Sequence, residues 1–119
     1  MDKLENIFEL QKAFDTTLEE LRGLQGKSVE EWIQKETLAM ISELSELIDE
    51  VNFKWWKNPK ELDYAAIKEE LVDILHFFVS MCHKVGMDAN ELHKLYTVKN
   101  QENFDRQQGK SSKPGYQSV

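Results

Sequence analysis

Cysteine, proline and glycine are all scarce here: the 119 residues include one cysteine, two prolines and five glycines. The single thiol, Cys82, excludes an intramolecular disulfide and a cysteine-built zinc cluster. It lies in an apolar stretch, where a buried, inert thiol is expected. Few prolines and glycines mean few helix breaks. A basic excess is missing too: with 22 acidic residues against 15 basic ones, the formal net charge is −7. A nonspecific grip on nucleic acid needs a basic footprint, so no nucleic-acid partner is expected. Small phosphorylated ligands remain open, because a divalent cation inverts the local charge. Long hydrophobic runs are lacking as well. The opening MDKLENIFELQ has no apolar stretch of signal-peptide length, and no later run reaches a membrane span. A cytoplasmic protein without a membrane partner is expected.

What is present is a globular composition, 40% hydrophobic and 31% charged, enough for one domain with a modest core. Apolar residues recur at helical spacing in four segments. The first runs from Lys3 to Arg22 and is interrupted by Gly23 and Gly26. Ser28, with Glu31 three residues on, opens a second that fades near Lys54. Asn58-Pro59 marks a turn, and Asp63 is a candidate N-cap for a third helix from Tyr64 to about Val85, closed by Gly86. Asp88 with Glu91 opens a fourth that reaches Gln107. Residues 108–119 are polar and read as a flexible tail after a folded domain of residues 1–107. The fold class is all-α, a four-helix bundle. Helices two and three are apolar over a wider arc than one small chain covers, so a homodimer is expected.

The stretch SELSELIDEVNFKWWK, residues 42–57, crowds Glu43, Glu46, Asp49 and Glu50 together on the second helix. Glu43 and Glu46 are three residues apart, as are Glu70 and Asp73 on the third. Residues so spaced project from one helical face, roughly 60° apart. The first pair flanks the stripe Met40, Leu44, Leu47, Val51, and the second flanks Ile67, Ile74, Phe78, Met81. If those stripes pack together, four carboxylates converge at the core edge, a costly arrangement without a cation. Mg²⁺ takes oxygen ligands and bridges carboxylates to substrate phosphates. Two bland or rival readings stand beside this one. Acidic pairs also decorate solvated helix faces. A di-iron bundle needs Glu-x-x-His on two helices, and here Asp73-x-x-His76 has no mate.

In order and spacing, Glu43-x-x-Glu46 followed by Glu70-x-x-Asp73 resembles the signature of the all-α nucleoside triphosphate pyrophosphatases, the MazG-like superfamily. FKWWK at Phe53 to Lys57 and DILHF at Asp73 to Phe77 look like its dimeric dUTPase branch. So does the pattern Lys99-Asn100, Asn103, Arg106-Gln107 and Gly115-Tyr116, and so does LQKAFD with Gln11. The resemblance implies a role for each group. Glu43, Glu46, Glu70 and Asp73 would hold two or more Mg²⁺ ions, with Glu46 also the general base. Trp56 would pack on the nucleotide, leaving Trp55 as the core tryptophan. Gln11 would read the uracil edge, and His76 and Phe77 would line the base and sugar pocket. Lys99, Asn103, Arg106 and Tyr116 would grip phosphate oxygens, joined by Lys57. Lys110 and Lys113 lie in GKSSKP, a candidate lid. Asp15 departs from the family element, which has Asn there; a carboxylate only accepts hydrogen bonds, whereas an amide does both.

The implied activity is Mg²⁺-dependent hydrolysis of dUTP, and of dUDP, to dUMP with release of pyrophosphate or phosphate. Two alternatives remain: the same chemistry on dCTP or on many triphosphates, and a non-catalytic helical dimerisation module.

Overall fold

Four short polar side chains start the helices. Asp2 accepts from the Glu5 amide at 2.8 Å, Ser28 from Glu31 at 3.1 Å, Asp63 from Ala66 at 3.1 Å and Asp88 from Glu91 at 2.8 Å. Each satisfies an amide that has no partner within its helix. The computed structural model describes residues 1–112, and all regular structure among them is helical. The helices are α1 (Lys3–Arg22), α2 (Val29–Asp49), α3 (Tyr64–Lys84) and α4 (Ala89–Gln107). Gly86 closes α3 with φ 75°, and the Met87 amide returns to the Cys82 carbonyl at 2.9 Å. Lys113, Gly115 and Tyr116 lie outside the described residues.

One boundary differs from the sequence reading. The apolar spacing carries α2 on toward Lys54, but the helix ends at Asp49. Asn52 then takes a left-handed φ of 58°. Its amide nitrogen donates to the Lys60 carbonyl and its amide oxygen accepts from the Lys60 amide, both at 2.9 Å. That two-point clasp competes with helix continuation and folds residues 52–60 into a closed loop.

The main packing is an antiparallel pair, α2 against α3. Near one end Thr37 on α2 meets Met81 on α3, and near the other Glu43 meets Glu70. α1 lies against α3. Lys84 ties all three: its ammonium is 2.9 Å from Glu19 on α1 and 4.3 Å from the ring centre of Trp32 on α2. His83 Nε2 lies 2.8 Å from the Phe8 carbonyl. The buried core sits where α1 and α3 meet the start of α4: Phe8, Val79, Cys82 and Ala89, with Leu4, Met87 and Leu92 against them. Cys82 is thus a buried thiol, and desolvation pushes its pKa up.

The radius of gyration is 18.3 Å. A compact chain of this length has about 13 to 14 Å. The protomer is therefore open, with wide apolar faces that it does not cover itself. No helix among the described residues is long and apolar enough to cross a membrane.

Candidate active site

The register of α2 against α3 builds a polar seam. Glu36 and Glu43 are seven residues apart on α2, and so are Asp73 and Ser80 on α3. Seven residues return to nearly the same helical face. Glu36 therefore meets Ser80 one end along, and Glu43 meets Glu70 at the other.

Carboxylate oxygens of Glu43, Glu46 and Glu70 all lie within 4.8 Å of one another. Oε2 of Glu43 and Oε2 of Glu70 are buried and have no hydrogen-bond partner. Desolvation, followed by the Glu43 and Glu46 carboxylates, pushes Glu70 up to about 7. Desolvation raises Glu43 too, and the Glu46 charge adds to it. Three hard oxygen donors with orphaned buried atoms fit a divalent cation. Glu46 is the most open of the three. Asp73 stands outside this tight triplet but beside it, sharing a cavity wall with Glu43.

That cavity, of about 270 Å³, is lined by Gln11, Phe14, Asp15 and Leu18 from α1, Glu36 and Glu43 from α2, and Asp73, His76, Phe77 and Ser80 from α3. Its lining combines apolar side chains with polar groups, as suits a small planar ligand. Gln11 donates through Nε2 to Asp15 Oδ1 at 2.9 Å, and Ser80 donates to Asp15 Oδ2 at 2.7 Å.

A family profile described as dUTPase matches residues 3–88, which run from the start of α1 to the end of α3. The chain belongs to the dUTPase family. Relatives in this company include a dCTP pyrophosphatase of Enterobacteria phage LZ5, 38% identical over 78% of this chain and 52% of its own. A dCTP pyrophosphatase of Enterobacteria phage T4 is 53% identical over 38% of this chain and 26% of its own. A DNA replication protein of the same phage is 53% identical over 32% of this chain and 10% of its own. The chain thus spans about half, or less, of the curated relatives it matches. No solved structure matches.

Within this dUTPase-family chain the sequence-read groups fall in three places. Gln11, His76 and Phe77 share the cavity with Glu43 and Asp73. Trp56 and Lys57 belong to the loop clasped by Asn52; Lys57 lines a separate hollow there with Asp49, Lys54 and Lys60. Trp55, expected in the core, is 81% exposed and stands edge-on to Trp56 at 4.7 Å. The clasped loop lifts both rings off the helix pair, which is why neither is core. Lys99, Asn103 and Arg106 share one hollow on α4, as their spacing predicts, but not the cavity of Gln11. The family match ends before α4 begins.

Glu36, Ser80 and Asn52 stand outside every motif read from the sequence. The seven-residue offsets from Glu43 and Asp73 were the available signal for the first two. For Asn52, a turn-forming residue just before FKWWK was the signal.

Proposed function

We propose that this protein is a Mg²⁺-dependent pyrophosphohydrolase of pyrimidine deoxynucleoside triphosphates, cleaving dUTP to dUMP and pyrophosphate and acting on dUDP as well. dCTP is a further substrate of the same site, on the strength of the relatives' names. The observation that carries the reading is the cluster of Glu43, Glu46 and Glu70, with two buried oxygens lacking partners, joined through Glu43 to a cavity holding Gln11, His76 and Phe77.

Glu43, Glu46, Glu70 and Asp73 would hold two or more Mg²⁺ ions, which would supply charge neutralisation for the phosphate chain and a more acidic attacking water. Glu46, the most open carboxylate, takes the proton from that water as a new oxygen–phosphorus bond forms and the bond to the leaving phosphate breaks. Gln11 hydrogen-bonds the base edge, and Phe77 and His76 flank base and sugar. Trp56 packs on the nucleotide. Lys57, Lys99, Asn103, Arg106 and Tyr116 bind phosphate oxygens, Arg106 through its fork of donors. Residues 1–107 are the catalytic domain and 108–119 the phosphate-binding tail. The open protomer favours a homodimer as the working unit.

Glu46→Gln and Asp73→Asn test this. Against dUTP, dCTP, dTTP and purine triphosphates with Mg²⁺, the wild type should hydrolyse dUTP and dCTP faster than the rest. Each variant should lose at least about a hundredfold in turnover while circular dichroism keeps the helical signal. A dimerisation module without catalysis would show no Mg²⁺-dependent hydrolysis by the wild type at all.

A further inference from the structure

The one buried residue of α2 is a glutamate. Glu36 is 8% exposed, while Leu38 and Ile41 beside it are 66% and 54% exposed. A lone buried carboxylate is costly unless its oxygens are partnered. Here one is and one is not: Oε1 contacts the Ser80 hydroxyl, and Oε2 is buried without a partner. Both Glu36 and Ser80 line the cavity that holds Gln11 and His76.

The donors around this carboxylate can be counted. Ser80 has one hydroxyl hydrogen, yet its oxygen is within hydrogen-bond reach of both Glu36 Oε1 and Asp15 Oδ2. Both contacts are satisfied only if one carboxyl carries a proton. Desolvation, against the opposing Ser80 hydrogen bond and with the Asp15 charge adding, raises the pKa of Glu36. Glu36 then donates to Ser80, and Ser80 donates to Asp15. Gln11 Nε2 donates to the other Asp15 oxygen. Three donors are thereby spent inside the wall. Gln11 keeps its second Nε2 hydrogen and its Oε1, and Asp15 keeps lone pairs, but Glu36 Oε2 is the buried acceptor of this wall that still lacks a donor.

We propose that Glu36, seated on Ser80 with Asp15, is a base-reading group of this cavity, and that it selects a pyrimidine bearing an exocyclic amino group, cytosine, over uracil. The inference rests on the pyrimidine nucleotide reading above and deepens it. Cytosine carries an amino donor at position 4, and uracil carries a carbonyl acceptor there. An amino group supplies the donor that Glu36 Oε2 lacks, whereas a carbonyl in the same place leaves that buried oxygen unpaired. A site that reads one hydrogen-bonding group rejects the analogue lacking it more sharply than an apolar pocket does, because its own polar atoms are left unpaired.

The test pairs kinetics with binding. For the wild type with Mg²⁺, kcat/KM for dCTP should exceed that for dUTP by at least about tenfold. Glu36→Gln keeps the shape and adds an amide donor, so it should reduce that ratio by about tenfold or more. Equilibrium titration of dCMP and dUMP reads the same preference without catalysis. Preference for dCMP by the wild type, lost in Glu36→Gln, supports the assignment even if neither triphosphate is hydrolysed; that outcome would count against the hydrolytic reading alone. Hydrolysis of both triphosphates with a ratio near one, or a ratio that Glu36→Gln leaves unmoved, overturns the assignment and leaves the hydrolytic reading standing. Should Glu36→Gln not fold, Asp15→Asn adds a donor to the same wall and must shift the ratio toward dUTP; an unshifted ratio there is equally fatal.

Discussion

Glu70 holds its proton up to about 7, against an ordinary value of 4.5, because desolvation and then Glu43 and Glu46 disfavour its charge. That fixes the sign of a pH effect. Between about 4.5 and 7 the folded protein keeps a proton that the unfolded chain has released, so metal-free stability falls as pH rises through that window. Glu43 and Glu36, raised in the same direction, add to the fall. Mg²⁺ binds the ionised carboxylates and opposes it. Thermal melts in chelator should show Tm dropping from pH 4.5 to pH 7, and added Mg²⁺ should raise Tm more at pH 8 than at pH 5. A flat Tm in chelator across the window would refute the cluster as described. The i,i+3 pairs behind this prediction were legible because their geometry is local to one helix. Glu36 was not. Its neighbours Leu38 and Ile41 are more apolar yet face outward, and only the partner helix decides which face of α2 is inside.

Helices were legible as elements because their caps are local: Ser28, Asp63 and Asp88 each bond an amide three residues ahead. The end of α2 was not, because the competitor is a clasp between Asn52 and Lys60, eight residues away. That clasp shapes the loop carrying Phe53, Trp55, Trp56 and Lys57, with Phe53 edge-on to Trp56 at 6.2 Å. Asn52→Ala loses both hydrogen bonds and puts an alanine at a left-handed φ. It should cost about 1–2 kcal/mol in urea denaturation. Asn52→Gly, free of the strain but also without the bonds, should recover only part of that loss. A glycine variant as stable as wild type would show that the clasp contributes nothing and that φ alone matters.

Across the whole molecule, the faces left open are arranged rather than scattered. Leu38, Ile41 and Ile48 share one side of α2, and Leu71, Leu75 and Phe78 share one side of α3. A groove of about 320 Å³ joins Leu10 and Phe14 of α1 to Val72 and Leu75 of α3. Exposed apolar area on this scale marks an interface, and a twofold pairing of identical chains is the commonest way to cover it. Among the described residues α4 packs on α1 and joins the core through its first turn, and Leu95, Tyr96 and Val98 beyond that turn are exposed. Its hollow of Lys99, Asn103 and Arg106 is thus separate from the carboxylates of the same chain. Sedimentation should give twice the chain mass, and Ile41→Glu with Leu71→Glu should give one, by burying charge in the shared face. If the partner's α4 supplies the phosphate grip, inactive Glu46→Gln and inactive Arg106→Ala chains should complement each other when mixed and re-equilibrated. Half the dimers in an equal mixture are then hybrid, and each hybrid has one site with both native groups. About a quarter of wild-type activity should return. No recovery from a mixture shown to contain hybrids would place Arg106 in the same chain's site or in none.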